Sequence, residues 1–293
     1  MKALRYTGYT LAALLGLVLL AAIGLYVASE RVLRAPVQAS ASHLAVPTAP
    51  QRADAPRQLR VLGCLNCHGA NLRGRLFFDE PGVAKLHAPN LTRIAAAATD
   101  AQLELAIRQG IGHTGKALFV MPSQEYQFLT DGEVAALIEA IRRFPAGGEQ
   151  MPPLQVGPLG RIGVVTGKFQ TAPTLVAAYR AQRLPEFGPQ LAHSRHIVET
   201  NCTECHGPAL HGKEVKPGTV APDLAIALAY DPDQFRNLLR TGTAVGNRPL
   251  TLMAEVARSD FHALTDAEIA GIHAYLTARA KQGGMASTAQ AAR

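Results

Sequence analysis

Tryptophan is absent from this 293-residue chain, and cysteine and methionine are scarce, with only four and five copies. The chain also lacks a concentrated block of basic residues, because its net charge of +7 is spread along its length. Proteins that bind nucleic acid concentrate lysine and arginine on one face, so we do not expect a nucleic-acid partner. The scarcity of cysteine means that any disulfide or thiolate site must use the same four residues.

All four cysteines lie in a motif that occurs twice, as CLNCHGANLRGR at residues 64–75 and CTECHGPALHGK at residues 202–213. Such a Cys-x-x-Cys-His motif attaches c-type haem, because two thiols one helical turn apart can bond to the two vinyl groups of one porphyrin. The histidine that follows then lies beneath the iron as its proximal ligand. The predicted attachment residues are Cys64, Cys67, Cys202 and Cys205.

Two other uses of these cysteines compete with haem. A disulfide does not explain why a histidine follows each second cysteine. Two Cys-x-x-Cys pairs could also supply the four thiolates of a structural zinc site. However, the two pairs are far apart in the chain, and each begins its own copy of a longer pattern. The sequence therefore favours two haem sites over one zinc site.

The longer pattern extends well beyond the motifs. Residues 88–91 and 221–224 both read Ala-Pro, one polar residue and Leu, and in both copies a glycine precedes a methionine by eleven residues. Each copy then ends with Leu-Thr-Asp-x-Glu, a helix capping box that is followed by an apolar helical face. This internal duplication predicts two like-folded units, at about residues 52–145 and 189–282.

The remaining segments are an anchor, two linkers and a tail. Residues 6–29 carry no charge, and this run is long enough to span a bilayer and longer than the apolar core of a signal peptide. A retained anchor at residues 1–28 is therefore favoured, while a cleaved signal peptide ending near residues 39–41 stays open. The other predicted segments are a flexible tether at 29–51, a partly ordered strap at 146–188 and a tail at 283–293.

The duplicated pattern resembles class I cytochrome c, present twice behind one transmembrane helix. The resemblance rests on Cys-x-x-Cys-His, a later proline, a methionine in a late loop and a closing helix, and it covers about 190 residues. It implies an all-α fold with two tandem domains, each holding one haem c. The implied proximal iron ligands are His68 and His206, the distal ligands are Met121 and Met253, and the carbonyl groups that bind the histidine rings are those of Pro89 and Pro222.

The distal ligand of the second copy is less typical of this family. Met121 is followed by proline, which is the usual family form, whereas Ala254 and Glu255 follow Met253. His262 is the competing sixth ligand in this copy. If neither residue binds the iron, the second haem is open to small molecules, as in a dihaem peroxidase.

With both axial positions filled, the resemblance implies an electron carrier that has no catalytic residues and no small-molecule substrate. The expected donors are membrane dehydrogenases or quinol-oxidising complexes, and the expected acceptors are other cytochromes or terminal oxidases. In bacteria haem is attached outside the cytoplasmic membrane, so we expect periplasmic haem domains on a single-pass anchor. A subunit of a dehydrogenase or oxidase complex is the alternative, although the lack of tryptophan and of a second span weakens a close match to oxidase subunits.

Overall fold

The computed structural model describes residues 2–41, 43–216 and 218–291, and the side chains up to residue 283 except those of residues 3 and 4. Its first helix, α1 (Lys2–Arg34), is rich in leucine and alanine, which favour helix, and it ends just before Pro36. The segment Arg5–Arg34 contains a window of mean hydropathy 2.6, and none of the residues in this window is buried in the described structure. An apolar N-terminal helix of this length suggests membrane anchoring.

The segment predicted as a flexible tether lies in contact with the first repeat. The Val37 amide donates to the Gly115 carbonyl at 3.0 Å, and the Gln109 side chain donates to the Ser40 carbonyl at 3.2 Å. Leu44 packs against the core of this repeat. These contacts show that the segment is packed on the first repeat. They could not be predicted from the sequence, because composition does not show which surface a Pro- and Ala-rich segment covers.

The first repeat consists of short helices and one β-hairpin. Its helices are α2 (Ala49–Val61), α3 (Cys64–His68), α4 (Leu91–Ala97), α5 (Asp100–Gln109), α6 (Ser123–Tyr126) and α7 (Asp131–Arg142). The antiparallel hairpin is formed by β1 (Arg75–Glu80) and β2 (Ala84–Ala88). Two predicted helix ends are confirmed, because Gly110 takes the left-handed conformation after α5, and Thr130 and Glu133 form the capping box of α7.

The strap between the repeats packs against the first repeat. It contains β3 (Gln155–Val156), α8 (Pro158–Val165) and α9 (Ala172–Arg180). β3 pairs with β2, which extends the hairpin to three strands. α9 packs against α6, and the Gln127 side chain donates to the Val176 carbonyl at 3.1 Å.

The second repeat follows the same order with two differences: a 3₁₀ helix at Leu224–Ala229 stands where the first repeat has α4, and a second strand pair precedes the last two helices. Its helices are α10 (Ala192–Asn201), α11 (Thr203–His206), α12 (Pro232–Thr241), α13 (Leu252–Ser259) and α14 (Asp266–Ala291). Its strand pairs are β4 (Lys213–Lys216) with β5 (Thr219–Ala221), and β6 (Thr243–Ala244) with β7 (Arg248–Pro249). α14 continues through most of the predicted tail, and residues 292 and 293 lie outside the described residues.

The fold is mostly helical, but the short sheets correct the prediction that it is purely α. Hairpins β1–β2 and β4–β5 occupy the same place after the two motifs. The turns use Gly82 and Gly218, which both have positive φ. The sequence did not reveal β1 because all six of its residues are exposed, so no alternation of apolar and polar residues marks the strand.

Each repeat has its own apolar core, and both cores use the same kinds of position. They combine the helix before the motif, the leucine inside the motif and the helix after the capping box. In the first repeat these positions hold Leu59, Leu72, Val134 and Ile138. In the second they hold Val198, Leu210, Ile269 and Tyr275. The apolar faces predicted behind the two capping boxes are therefore confirmed as core-facing.

The two repeats pack against each other through reciprocal contacts. Glu268, from the capping box of α14, binds both terminal nitrogens of Arg57 at 2.8 and 2.9 Å. Glu133, from the capping box of α7, binds His196 Nε2 at 2.9 Å. Arg57 and His196 lie on the helix that precedes the motif in their own repeat. In each repeat, the capping-box glutamate thus binds the helix that precedes the motif in the other repeat.

We predict that Arg57 and Glu268 are energetically coupled. Both side chains are largely buried and share two charge-assisted hydrogen bonds, so a double-mutant cycle of Arg57→Ala and Glu268→Ala should give a coupling of about 1–3 kcal/mol in the free energy of unfolding. The matched control is the half-exposed pair Arg52–Glu139, for which about 0–1 kcal/mol is expected. Equal coupling in both pairs would contradict the prediction.

The same coupling should depend on pH in a defined direction. Burial opposes ionisation of Glu268, but the hydrogen bond from Arg57 lowers the pKa of this carboxyl below its ordinary value. A carboxyl with a lowered folded pKa stabilises the fold above its unfolded pKa of about 4.3. The coupling should therefore be constant at neutral pH and be lost only as the pH falls below about 4.

Candidate functional site

Each Cys-x-x-Cys-His motif forms a single helical turn followed by the same irregular loop. The glycines after the histidines, Gly69 and Gly207, have φ of +83° and +80°. Gly74 and Gly212 close the loops, and their amides donate to the carbonyl of the histidine in their own motif at 2.8 Å. An added Cβ would lie 2.6 Å from the Ala88 oxygen at Gly74 and 2.4 Å from the Ala221 oxygen at Gly212, so only glycine fits both places.

The two motif histidines are held in the same way. The Nδ1 of His68 lies 2.9 Å from the carbonyl oxygen of Pro89, and the Nδ1 of His206 lies 2.8 Å from that of Pro222. A carbonyl oxygen can only accept, so Nδ1 carries the proton and Nε2 keeps its lone pair. Burial also lowers the pKa of both histidines, which the proline hydrogen bond opposes. Each ring is therefore presented as a neutral ligand through Nε2.

The two methionines predicted as distal ligands lie against the same cores as the cysteines of their own repeats. Met121 and Cys64 both pack, half-buried, against the first core. Met253 and Cys202 do the same at the second core. In each repeat the predicted methionine and the first cysteine of the motif thus contact one apolar core, and the same motif presents a neutral imidazole. Thioether, thiol and imidazole are the groups that fit a covalently attached haem.

The four thiols do not fit the competing uses. All four are free, so no disulfide joins them. Burial raises the pKa of Cys64, Cys67 and Cys205 to about 12 and that of Cys202 still higher. Within the described part of the chain, no three His, Cys, Asp or Glu side chains are grouped to hold a metal ion.

His262, the competing sixth ligand, lies away from the second core. It belongs to the short turn between α13 and α14, and its side chain is exposed. Its carbonyl accepts a hydrogen bond from Arg240 at 2.7 Å, which fixes the backbone of this turn. The structure therefore packs Met253 against the core that Cys202 also contacts, whereas His262 is exposed.

Two carboxylates that the sequence analysis missed lie between the motifs. Oε1 of Glu125 accepts hydrogen bonds from the Thr203 hydroxyl at 3.1 Å and from the backbone amide of Glu204. Asp260 lies against Gly63 and is hydrogen-bonded to the Asn66 side chain. Each carboxylate therefore contacts the motif of the opposite repeat. The sequence does mark them as equivalent positions, because each residue stands four positions before the leucine of Leu-Thr-Asp in its own repeat.

The charges at this junction are poorly solvated. Burial, together with the neighbouring charge of Glu204, raises the pKa of Glu125 well above its ordinary value. Burial also raises the pKa of Asp260 to about 6. Glu204 is close enough to Cys67 and Cys205 for its charge to raise the pKa of both thiols, after burial itself. The two motifs therefore lie next to each other at the junction of the repeats.

A comparison with known families matches part of the second repeat. Residues 189–276, less than a third of the chain, match the family described as Cytochrome C oxidase, cbb3-type, subunit III. No curated protein matches the chain in a direct sequence search. The matched residues contain Cys202, Cys205, His206 and Met253, and the structure packs Cys202 and Met253 against one core. The match identifies a cytochrome c domain, so the chain is supported as a c-type cytochrome that uses haem c in electron transfer.

Proposed function

We propose that this chain is a dihaem electron carrier in which each repeat is a cytochrome c domain with one covalent haem. The observation that carries the proposal is the repeated contact between the motif histidine and a proline carbonyl, which leaves Nε2 free to bind iron in both repeats. The family match supports only the second domain. The first haem is inferred because its loop has the same glycine conformations and the same hydrogen bonds.

In each repeat, different residues would attach the porphyrin, bind the iron and orient the histidine ligand. A bound haem c supplies a one-electron iron couple, and His/Met ligation raises its reduction potential. In the first repeat Cys64 and Cys67 would hold the porphyrin, while the Pro89 carbonyl orients His68 and increases its basicity. Met121 would supply the sixth ligand. The corresponding residues of the second repeat are Cys202, Cys205, Pro222, His206 and Met253.

Electron exchange within the chain is supported by the junction between the repeats. The loop that follows Met121 leads to Glu125, which touches the second motif, and α13, which contains Met253, leads to Asp260, which touches the first. Each distal ligand loop is thus connected to the covalent attachment site of the other haem. The reciprocal Arg57–Glu268 and His196–Glu133 contacts hold this arrangement, so the carrier accepts an electron at one haem and releases it from the other.

The proposed setting is the periplasmic face of the bacterial cytoplasmic membrane, with α1 as the anchor. A dehydrogenase or quinol-oxidising complex would donate electrons, and a cytochrome or terminal oxidase would accept them. The description of the matched family favours a second candidate, a subunit of an oxidase complex. Co-purification from membranes solubilised in mild detergent separates the two candidates, because a subunit remains with its complex and a carrier does not.

Carbon monoxide tests whether the protein is a carrier or a catalyst. We expect the spectrum of the reduced native protein to be unchanged by carbon monoxide, because a thioether occupies each sixth position. Met253→Ala should serve as the positive control, since it opens one iron to the gas. Binding to one haem of the native protein would contradict the carrier proposal and favour a peroxidase-like enzyme with an open second haem.

A further inference from the structure

The strap helix α8 is fixed to the end of the apolar helix α1. Arg161, in the middle of α8, donates to the Ser29 hydroxyl at 2.7 Å and to the Glu30 carboxylate at 2.8 Å. Its guanidinium group also lies 4.2 Å above the centre of the Tyr26 ring. The Ser29 side chain is fully buried by this contact. These interactions join α8 and the end of α1 into one unit.

The opposite face of α8 is apolar and uncovered. Leu159, Ile162 and Val165 are 60%, 46% and 46% exposed, and their spacing of three residues places them along one side of the helix. Gly160 and Val164 are buried on the side that faces the protein. Single exposed apolar residues are normal on a protein surface, but a row of three beside an apolar span is a feature that a bilayer would cover.

The position of α8 along α1 matches the edge of a bilayer. Tyr6 and Tyr26 are twenty residues apart, which corresponds to about 30 Å of helix and to the thickness of the hydrocarbon layer. Tyrosine is enriched at both membrane surfaces, so these residues mark the two edges of the span. Arg161 stacks on Tyr26 and therefore lies at the outer edge. α8 is thus at the level where headgroups meet acyl chains.

α8 is also connected to both sides of the first candidate haem site. The amide of Gly157, just before α8, donates to the Val83 carbonyl at 2.8 Å, and β3 pairs with β2, which ends next to Pro89. Just after α8, Phe169 packs against Phe119 with ring centres 4.9 Å apart. Phe119 lies in the loop that leads to Met121. α8 is therefore connected both to the strand that leads to Pro89 and to the loop that leads to Met121.

We propose that α8 is an interfacial helix that docks the first repeat on the lipid bilayer, with Leu159, Ile162 and Val165 inserted at the boundary of headgroups and acyl chains. The proposal rests on the proposed anchoring by α1. It means that the first haem domain is held at the membrane surface in one orientation, while contacts with partners in the periplasm fall to the second domain. An amphipathic helix at this depth binds through its apolar face and does not cross the membrane.

Spin labelling can test this docking because haem attachment, under the proposed function, occupies the four native cysteines and leaves one introduced cysteine as the reactive thiol. The full-length, haem-loaded chain is placed in nanodiscs of phosphatidylcholine and phosphatidylglycerol, with a nitroxide at Ile162→Cys. The matched control is Val220→Cys, a residue of the second repeat that is 69% exposed. We expect the label at 162 to collide readily with oxygen and several-fold less with an aqueous nickel chelate than the label at 220.

The other outcomes overturn the proposal in distinguishable ways. Equal access of the nickel chelate to both labels places α8 in water, and shielding of label 162 from oxygen and nickel alike places it against protein. Failure of the haem-loaded chain to enter nanodiscs contradicts the anchoring by α1 as well. In a chain that also carries Arg161→Ala, the label at 162 should become accessible to nickel while the protein stays in the disc. An unchanged label would show that Arg161 does not hold the helix.

Discussion

Met121→Ala removes about half of the weak near-red absorption band that thioether sulfur gives when bound to ferric haem, and it lowers one of the two reduction potentials. This result is expected because Met121 is the proposed sulfur ligand of the first haem, and it packs against the same core as Cys64. The haem stays attached, since Cys64, Cys67 and His68 are unchanged. Axial ligands set much of the haem potential, within an overall span of roughly 0.8 V, so the shift should be resolved in a redox titration.

Met253→Ala is expected to remove the other half of the band and lower the other potential. Met151, which lies in the strap and is not a predicted ligand, provides the matched control as Met151→Leu, and this variant should keep the whole band. If Met253→Ala leaves the band intact, the sulfur assignment in the second repeat is wrong. His262 would then have to turn inward from its exposed position, or the second iron would be open.

Removal of α1 is expected to change the location of the protein without removing its haems. A chain that begins at residue 35 behind a cleavable export signal should be found in the soluble periplasmic fraction with its haem absorption intact. The full-length chain should remain with membranes during an alkaline carbonate wash and be released only by detergent, because its apolar helix is long enough to span the bilayer.

The native N-terminus distinguishes the anchor from a signal peptide. An anchored protein should keep residues 6–29 in its mature form, as mass spectrometry of the purified chain would show. A soluble mature protein that begins near Ala41 would contradict the anchor. It would also remove Ser29 and Glu30, the two residues that bind Arg161.

Local patterns in the sequence predicted the parts of the molecule that depend on neighbours in the chain. The two motifs, the glycine at the end of α5 and the capping boxes are each specified within a few residues, and the structure contains them as predicted. The pairing of His68 with Pro89 was implied by family resemblance, and the structure places the two groups at hydrogen-bond distance. These features recur in both repeats because the same short patterns recur.

Contacts between distant segments could not be predicted in this way. Arg161 is separated from Ser29 by 132 positions, and Arg57 is separated from Glu268 by 211, so no periodic pattern links the partners. The docked tether depends on surface packing in the same way, through residues such as Leu44. Comparing the repeats residue by residue would have indicated Glu125 and Asp260 as equivalent positions, but only the structure shows that each contacts the motif of the other repeat.

The number of covalent haems per chain shows directly whether each repeat binds its own haem. A pyridine haemochrome assay on the purified full-length protein, combined with its intact mass, should give two haems that acid acetone does not extract. Replacement of Cys202 and Cys205 by serine should reduce the count to one, and replacement of Cys64 and Cys67 should do the same independently. One haem per native chain, or haem that acid acetone extracts, would contradict the proposal that each repeat is a cytochrome c domain.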